Sequence, residues 1–568
     1  MMFMRTLVLF ILVIVALGTS AQEKYYSDPL KIPLLLSGSF AELRSNHFHS
    51  GIDIKTQGVT GFPVYAVAEG YVSRISVSPS GFGNALYIHH PNGTTSVYGH
   101  LERFAPAIQK YVTDRQYEQK SFRVDLEVPS FLFPVKKGEE IAKSGNSGSS
   151  GGPHLHFEIR DTRSEEPLNP LEYGFSIVDN IAPKMFSLLV VPLSDTSHVN
   201  YQPVAASYPL VLSEGKYWVK GNPIIPVYGP VGFAVQANDY LDGSYNKCGI
   251  TGLTLSVDDL TRFAFQLKRF SFGNSRYINS HVVYGEYIES GRRFIKTWVD
   301  PGNQLPIYTY DLSQGVFVAS NGRHKVQLEM ADTYGNSSLL EFKVEGKFKE
   351  IQASVPNGSV AMKYDKDNLF ESENCMLNIP KGALYSDCRF LYKEEPTTDA
   401  FYSDFQVLKD EKVPLHIPAE LKIKPCHLPS ELEPKVLIVS LNSKSGQPSA
   451  VGGTFNNGWV EGSIRTLGRY ALMVDTIPPL IRPLSISEGR LSEQTRIRFK
   501  ISDDLSGIKN IEAFLDGKWA LFEYDAKNSL ITHYFDKTRF EFGRQHELVL
   551  RVVDYKDNIS VYQSGFWK

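Results

Sequence analysis

The sequence predicts an all-β protein with several domains. After residue 30, short runs rich in Val, Ile, Tyr and Phe alternate with Gly, Pro, Asn and Asp, a pattern typical of strands joined by tight turns. Long stretches of helical periodicity are absent. At roughly 150 residues per domain, the 568 residues correspond to about four domains. Apolar residues make up 42% of the chain, enough for several packed cores, which argues against bulk disorder.

Clusters of Pro and Asp between the strand-rich runs predict three domain boundaries. They fall near residues 179–183, 347–357 and 475–479. Behind a leader at 1–21, four units follow, at 22–178, 179–347, 348–475 and 476–568. We call them the first, second, third and fourth units. The third unit is rich in predicted strands, and its type stays open.

The second and fourth units look like diverged copies of one domain. Each contains a strand that ends in Asp and is followed by Gly-Ile: FAVQAND (233–239) and FKISD (499–503). Each closes on a similar strand and turn, VQLEMADTYGNSS (326–338) and LVLRVVDYKDNIS (548–560). The period-2 alternation of these closing strands predicts one buried face. Both units resemble bacterial immunoglobulin-like (Ig-like) β-sandwiches.

The first 21 residues have the features of a secretory signal peptide. Arg5 precedes an apolar run at 7–17, which is shorter than the roughly 20 residues that span a bilayer. Thr19-Ser20-Ala21 offers small residues for cleavage after Ala21. Since no later segment is apolar enough to span a membrane, we expect an exported, soluble mature chain in the periplasm or outside the cell. An uncleaved anchor is the alternative.

Charge and cysteine content narrow the functional classes. The 59 Lys and Arg residues nearly balance the 62 Asp and Glu residues, so the basic excess of a nucleic-acid binder is missing. The four cysteines, at positions 248, 375, 388 and 426, lack zinc-finger spacing. Export would permit a disulfide, and three of the four lie within about 50 residues, but the sequence does not determine a pairing.

Histidines cluster in the first 160 residues, within three short motifs. These are HSGID (49–53), YGHL (98–101) and PHLHFE (153–158). Along a strand, side chains alternate between faces, so His154 and His156 should point one way while Leu155 and Phe157 point the other. This arrangement would set two imidazoles side by side above an apolar core.

His49 and Asp53 are four residues apart, with Gly51 between them, and can converge on one point. Two His nitrogens and one Asp oxygen form a ligand set that suits Zn²⁺ and leaves a fourth position for water. Zinc lowers the pKa of a bound water to about 7. Amide hydrolysis also needs donors for the developing oxyanion and a proton for the leaving amine. His100 and His154 are the remaining imidazoles for those tasks.

Together, the motifs resemble the LytM/lysostaphin-type peptidases of family M23. The segments 61–66, 69–72, 83–101 and 145–153 also resemble the family's early strands, central hairpin and the loop before its HxH strand. The resemblance covers about residues 35–173, a quarter of the chain. It implies a mostly antiparallel β-sheet with a metal on the floor of a groove. It further implies one Zn²⁺, bound by His49, Asp53 and His156, with His100 and His154 as the catalytic pair.

The resemblance implies that the chain hydrolyses peptide cross-links of peptidoglycan. Two alternatives stay open: a non-catalytic M23-like module that binds the wall or activates another wall hydrolase, and the same chemistry on an exported protein. We expect the C-terminal β-domains to be spacers or adhesion modules that contact the wall or partner proteins. No nucleic-acid partner is expected.

One segment departs from the family pattern. An insertion at about 106–134 separates YGHL from the next strand, near 135–141. Because it follows His100 directly, we expect it to rim the groove, where it would shape substrate choice or act as a lid.

The remaining polar residues have ordinary structural explanations beside their functional ones. A structural role is favoured for three histidines, His47, His89 and His90. Glu158 should share a face with His156, and a supporting role is favoured over that of a general base. Asp239 and the Asp503-Asp504 pair suggest calcium, although carboxylates that cap turn amides are the commoner explanation.

Overall fold

The structure, a computed structural model, describes residues 24–319, 321–351, 356–398, 400–409, 411–486 and 495–568. The expected signal peptide lies outside these residues. Strands dominate all four units, which confirms the all-β prediction. Across the described ranges, no helix combines the length and apolar character that crossing a membrane requires.

The first unit contains one large antiparallel sheet and one small sheet. Its strands are β1 (Leu36–Gly38), β2 (Ile52–Lys55), β3 (Pro63–Tyr65), β4 (Gly70–Val77), β5 (Asn84–His89), β6 (Thr94–Leu101), β7 (Arg103–Phe104), β8 (Val124–Glu127), β9 (Pro134–Val135), β10 (Glu140–Lys143), β11 (His154–Asp161) and β12 (Pro167–Leu168). The large sheet runs β1-β2-β11-β6-β5-β4-β8, with β12 beside β11 and β9 beside β4. The small sheet is β3-β10-β7. A 3-10 helix, Pro170–Tyr173, follows.

The apolar side of the large sheet forms the core of the first unit. Leu155 and Phe157 of β11 are fully buried there beside Ile52 and Ile54 of β2. The predicted alternation of β11 is therefore confirmed, and it leaves the two histidines on the other face. Burial of each large apolar side chain contributes roughly 1.5–3 kcal/mol.

The insertion after His100 contains a helix that the sequence pattern did not predict. Helix α1, Pro106–Gln119, begins with a proline in its first turn, where the missing N–H has no helical partner to lose. It ends at Lys120, whose backbone is left-handed. Only Ile108, Val112 and Gln116 are buried along its length, so its apolar stripe is too sparse for a helical period to be recognised.

The second unit is a continuous sheet of thirteen strands with two short helices. Its strands are β13 (Lys184–Pro192), β14 (His198–Val199), β15 (Ala206–Ser213), β16 (Lys216–Val219), β17 (Ile224–Tyr228), β18 (Pro230–Asn238), β19 (Gly252–Val257), β20 (Leu260–Gln266), β21 (Phe294–Lys296), β22 (Tyr308–Tyr310), β23 (Phe317–Val318), β24 (Gly322–Ala331) and β25 (Ser337–Gly346). The helices are α2 (Ile278–His281) and α3 (Tyr284–Ser290), after a 3-10 turn at Phe272–Tyr277. In β24, Val326, Leu328 and Met330 are buried, which confirms the predicted alternation.

The third unit contains two five-stranded sheets and a two-stranded ribbon. Its strands are β26 (Val360–Met362), β27 (Asn368–Glu371), β28 (Cys375–Ile379), β29 (Cys388–Phe390), β30 (Tyr392–Glu395), β31 (Phe405–Leu408), β32 (Pro414–Ile423), β33 (Val436–Leu441), β34 (Pro448–Gly452), β35 (Thr454–Asn456), β36 (Trp459–Thr466) and β37 (Gly468–Val474), with a 3-10 helix at Ser430–Lys435. Cys375 and Cys426 carry free thiols, so the disulfide that export would permit is not formed by either.

The fourth unit contains two four-stranded sheets that share one core. Its strands are β38 (Leu480–Pro483), β39 (Arg496–Ser502), β40 (Ile508–Leu515), β41 (Lys518–Trp519), β42 (Glu523–Asp525), β43 (Leu530–Tyr534), β44 (Gln545–Asp554) and β45 (Ile559–Trp567), with a 3-10 turn at Ala526–Asn528. Phe499 of β39 and Leu548 of β44 bring the two sheets into this core. Leu548, Leu550 and Val552 alternate inward along β44, as predicted.

The first and second units share a core. Phe40 and Phe48 belong to the first unit by sequence but are buried among residues of the second, with ring centroids 5.4 and 5.6 Å from that of Phe270. The Phe48 N–H also donates to the Ser275 hydroxyl, at 2.8 Å. The chain segment that leads into His49 is therefore held by the second unit.

The fourth unit contacts the insertion. The ring of Trp519 meets that of Tyr117 edge-on, at 5.3 Å, and the Arg539 guanidinium lies 4.3 Å from the centre of the same ring. Arg539 also forms an ion pair with Asp114. Lys527 donates to the Ser150 carbonyl at 3.0 Å. Helix α1 and the loop before β11 thus both touch the C-terminal part of the chain.

Replacement of Phe48 by Ala should destabilise the first and second units by about 3–5 kcal/mol, because it removes a fully buried ring from their shared core. The matched control is Phe131→Ala, since Phe131 is 81% exposed. Thermal unfolding followed by circular dichroism measures both. Equal midpoints for the two variants would contradict the shared core.

Candidate active site

Three chain-distant segments meet at the centre of the large sheet. In the antiparallel register, His156 of β11 pairs with Asp53 of β2 on one side and with Gly99 of β6 on the other. His100 follows Gly99, and His49 precedes β2. The sheet order β2-β11-β6 therefore brings the HxGxD, YGHL and HxH motifs together.

Gly51 is required by the close approach of β11. A Cβ atom at this position would lie 2.2 Å from the Phe157 carbonyl oxygen, closer than any real contact. The glycine between His49 and Asp53 thus allows their segment to lie against β11.

Three polar atoms converge on one point above the sheet. His49 Nε2 lies 3.1 Å from His156 Nδ1 and 3.1 Å from Asp53 Oδ1, and His156 Nδ1 lies 2.9 Å from the same oxygen. All three side chains are buried, with 3–5% of each residue exposed. The predicted metal ligands are thus in mutual contact.

In each imidazole, the hydrogen bond of the outer nitrogen, which faces away from the cluster, determines whether the inner nitrogen, which faces into the cluster, carries a proton or a lone pair. His49 Nδ1–H donates to the Ser39 carbonyl at 2.8 Å, and a carbonyl can only accept. His156 Nε2–H donates to the Glu158 carboxylate at 2.9 Å. In both neutral rings the proton is on the outer nitrogen, so the inner nitrogen presents a lone pair.

This donor set fits a small cation. Two nitrogen lone pairs and a carboxylate oxygen attract positive charge and repel each other without it. Their separations of 2.9–3.1 Å are near the roughly 3.3 Å between tetrahedral ligands at Zn–N and Zn–O distances of about 2.0 Å. Burial lowers the pKa of His156, but Asp53 and Glu158 outweigh it and raise that pKa to about 9. The cluster therefore binds positive charge, as a proton or as a metal ion.

A buried carboxylate supports the ring of His156. Glu158 accepts from His156, from the Ser50 hydroxyl and from Arg160 Nε, the last at 2.6 Å. Burial would raise the pKa of Glu158, but the charge of Arg160 and the contacts of His156 lower it to about 2. Glu158 stays ionised and orients His156, which agrees with the supporting role favoured from the sequence.

Asp53 is anchored from outside the motifs. Arg44 donates to its Oδ2 at 2.7 Å, which leaves Oδ1 for the cluster. Burial opposes ionisation, yet the surrounding histidines hold the pKa of Asp53 well below its usual value. Arg44 was not predicted as a site residue, because it lies outside the three histidine motifs and reaches Asp53 across a turn.

His100 and His154 lie beside the cluster without joining it. Their ring centroids are 4.8 Å apart, and His154 Nε2 lies 3.4 Å from Asp53 Oδ1. His100 Nδ1–H donates to the Ser147 carbonyl and His154 Nδ1–H to the Gly152 carbonyl, each at 2.8 Å. In the neutral form of a ring held in this way the proton is on Nδ1, so Nε2 is the atom left to accept one. Burial, and then the neighbouring histidines, lower the pKa of His100 to about 3.

The backbone of His100 is strained, and an aromatic ring covers the cluster. His100 has a φ of +57°, in the left-handed region that few non-glycine residues adopt. Backbone strain of this kind is one of the features that functional sites show. Phe82 stacks on His156 with ring centroids 4.8 Å apart. The loop that carries Phe82 had no recognisable signal in the sequence.

The three other histidines of this unit stay away from the cluster. His47 is exposed and bonds the Ser45 carbonyl. His89 contacts the Tyr71 hydroxyl, while His90 bonds the Glu69 carbonyl and the Ser96 hydroxyl. These contacts are structural, as favoured from the sequence.

Two family models match the chain. The model of peptidase family M23 matches residues 47–117 and 133–170, and it breaks within the insertion. The model of the Zu5-like domain matches residues 359–475, within the third unit, for which the sequence analysis named no type.

Named relatives match the first unit. The DD-carboxypeptidase/endopeptidase Mpg of Neisseria meningitidis serogroup B is 32% identical over 129 residues, 23% of this chain and 23% of Mpg. The peptidoglycan DD-endopeptidase ShyB of Vibrio cholerae is 27% identical over 160 residues, 28% of this chain and 31% of ShyB. The lipoprotein NlpD of Yersinia enterocolitica is 30% identical over 116 residues, 20% of this chain and 93% of NlpD.

The chain thus spans about a quarter of the length of Mpg and nearly all of NlpD. The family model, these relatives and the convergence of all three motifs on one sheet agree. Through its first unit, the chain belongs to peptidase family M23.

Proposed function

We propose that the chain is an exported zinc-dependent endopeptidase that hydrolyses peptide cross-links of peptidoglycan. The observation that carries this proposal is the contact of three buried lone-pair atoms, on His49, Asp53 and His156, flanked by two imidazoles that stay outside it. The printed names of Mpg and ShyB, both endopeptidases, support the reaction, and that of ShyB supports the substrate.

His49, Asp53 and His156 would hold the zinc ion, with Glu158 and Arg44 fixing two of these ligands. When bound, zinc supplies a Lewis acid that polarises the peptide carbonyl and activates water. The ligand rings are held by hydrogen bonds on their outer nitrogens, so the site is organised before substrate arrives.

His100 and His154 would move the protons. Each is anchored through Nδ1–H to a backbone carbonyl, which leaves Nε2 to accept a proton from the attacking water. Once protonated, the same nitrogen can donate to the developing negative charge on the carbonyl oxygen or to the leaving amine.

A second candidate function is a non-catalytic module that binds the wall or activates another wall hydrolase. It is supported by the match to NlpD, which is named as a lipoprotein and not as an enzyme. The complete set of two histidines outside the ligand cluster favours the enzyme, because a binding module has no need of proton carriers.

Alanine at His156 should abolish both zinc binding and cleavage, whereas alanine at His154 should preserve zinc and lose cleavage. Zinc content by mass spectrometry and muropeptide release from sacculi measure the two properties. The control is His47→Ala, since His47 is exposed and outside the cluster. Full cleavage by the His154 variant would contradict the proposed mechanism, and a wild-type chain that holds zinc without cleaving would favour the binding module.

Replacement of Glu158 by Gln should weaken zinc binding about 10–100-fold, because the ligand ring of His156 loses its anionic partner. A competition titration with a chromogenic zinc chelator measures the affinity. Glu165→Gln is the matched control, since Glu165 also contacts Arg160, at 3.3 Å, but lies at the surface. Equal affinities for the two variants would show that Glu158 does not support the ligand.

Purified sacculi and casein, digested side by side by the zinc-loaded chain, should separate the two substrate classes. We expect muropeptides with cleaved cross-links from sacculi and no cleavage of casein. Mass analysis of the products locates the broken bond. Cleavage of casein with intact sacculi would instead favour an exported protein as substrate.

A further inference from the structure

A second polar cluster lies at the junction between the first and second units. Asp179 lies at their boundary, Asp239 follows β18 directly and Asp332 follows β24 directly. One oxygen of each carboxyl group lies within 4.8 Å of an oxygen of the other two. The exposed fractions of the three residues are 8%, 3% and 8%. Three carboxyl groups are therefore buried together.

No cation balances this cluster. Within the described ranges, no lysine, arginine or histidine forms an ion pair with Asp179, Asp239 or Asp332. Burial and the two neighbouring carboxylates raise the pKa of Asp239 to about 8. Burial, with Asp332 and Asp242, raises the pKa of Asp179 to about 6. Ionisation of these three buried carboxyl groups costs free energy unless a positive charge lies beside them.

Turn capping explains only part of the cluster. Asp332 accepts from the backbone and side-chain amides of Asn336, at 2.9 and 2.7 Å, and Asp179 accepts from the Ile181 N–H at 3.0 Å. Asp239 differs, because its Oδ1 is buried and contacts no donor among the described residues. A buried carboxylate oxygen without a donor is available to a cation.

The same construction recurs in the fourth unit. Asp475, Asp503 and Asp554 form an equivalent group. Asn558 bonds Asp554 through its backbone and side chain, at 2.9 and 2.7 Å, as Asn336 bonds Asp332. Lysines lie near this second copy, and Lys435 Nζ bonds Asn558 Oδ1 at 2.7 Å. In the part of the chain that the structure describes, no lysine bonds the copy in the second unit, which is the stronger candidate.

The oxygen ligands of this cluster indicate which cation it would bind. Carboxylate oxygens suit hard cations, whereas zinc prefers nitrogen and sulfur. Calcium accepts six to eight oxygen ligands at 2.3–2.6 Å in a flexible geometry, and three carboxyl oxygens that lie within 4.8 Å of one another can reach one such ion. Magnesium needs a tighter octahedron and keeps much of its water. We propose that Asp179, Asp239 and Asp332 form a Ca²⁺ site that fastens the second unit to the peptidase unit.

The loop after Asp239 shows what such an ion would stabilise. Ser244 of this loop donates to the Leu36 carbonyl at 2.6 Å and accepts from Lys55 Nζ at 2.9 Å. Lys55 ends the strand that carries Asp53. Asp242 accepts from the Asn180 N–H at 2.7 Å. Calcium would thus order the loop that contacts the metal-ligand strand, without any part in hydrolysis.

The test uses the zinc-loaded full chain, so that the histidine cluster is occupied throughout. Equilibrium dialysis with ⁴⁵Ca²⁺ counts bound ions, and thermal unfolding with and without CaCl₂ measures stabilisation. The wild type should gain roughly 3–8 °C in millimolar Ca²⁺ and much less in Mg²⁺. Asp239→Asn should bind one ion fewer and lose most of this gain.

Two controls make the result specific. Asp259→Asn, at an exposed aspartate of the same unit paired with Lys325, should behave as the wild type. Without Ca²⁺, Asp239→Asn should be at least as stable as the wild type, because it removes a buried carboxyl group that is costly to ionise beside two others. If Asp239→Asn fails to fold, Asp179→Asn carries the same expectation.

Unchanged Ca²⁺ stoichiometry and affinity in Asp239→Asn, or no binding to the wild type up to about 10 mM, would overturn the proposal. Zinc content, measured in the same samples, keeps this outcome separate from any failure of the zinc site. A variant that is less stable to the same extent with and without Ca²⁺ would show that Asp239 serves only the turn.

Discussion

The candidate site depends on three buried atoms that repel one another unless positive charge, as a proton or as a metal ion, lies between them. Three buried lone-pair atoms, on His49, Asp53 and His156, lie within 3.1 Å of one another. Each ligand is held there by a partner behind it: a backbone carbonyl for His49, an arginine for Asp53 and a carboxylate for His156. These partners prevent the three side chains from turning away from one another. Burial of the apolar residues on the opposite face of the sheet offsets the free-energy cost of this arrangement.

Much of the fold could be predicted from local pattern. Period-2 alternation correctly placed Leu155 and Phe157 in the core and the two histidines above it. The helix at Pro106–Gln119 could not be predicted, because few of its residues are buried and its contacts with Trp519 and Arg539 come from far along the chain. The burial of Phe48 in the core of the second unit likewise depends on tertiary contacts that no local sequence pattern indicates.

The residues of the candidate site that belong to the three histidine motifs could be predicted from the sequence. The five residues on which the prediction rests, His49, Asp53, His100, His154 and His156, lie together in the structure. Arg44 and Phe82 were missed because they lie outside the motifs and contact Asp53 and His156 only in the folded chain. The carboxyl groups at 179, 239 and 332 show the same limit, since only their assembly from two strand ends and the connection between the units reveals a buried oxygen without a donor. Turn capping was favoured from sequence for Asp239, whose Oδ1 has no donor among the described residues, whereas Asp179 and Asp332 each accept from a backbone N–H.

X-ray absorption at the zinc edge of the zinc-loaded chain identifies the atoms that bind the ion. We expect two imidazole nitrogens and one carboxylate oxygen at about 2.0–2.2 Å, with the remaining position filled by solvent. A spectrum with three or four imidazoles, which would place His100 or His154 on the metal, would contradict this expectation.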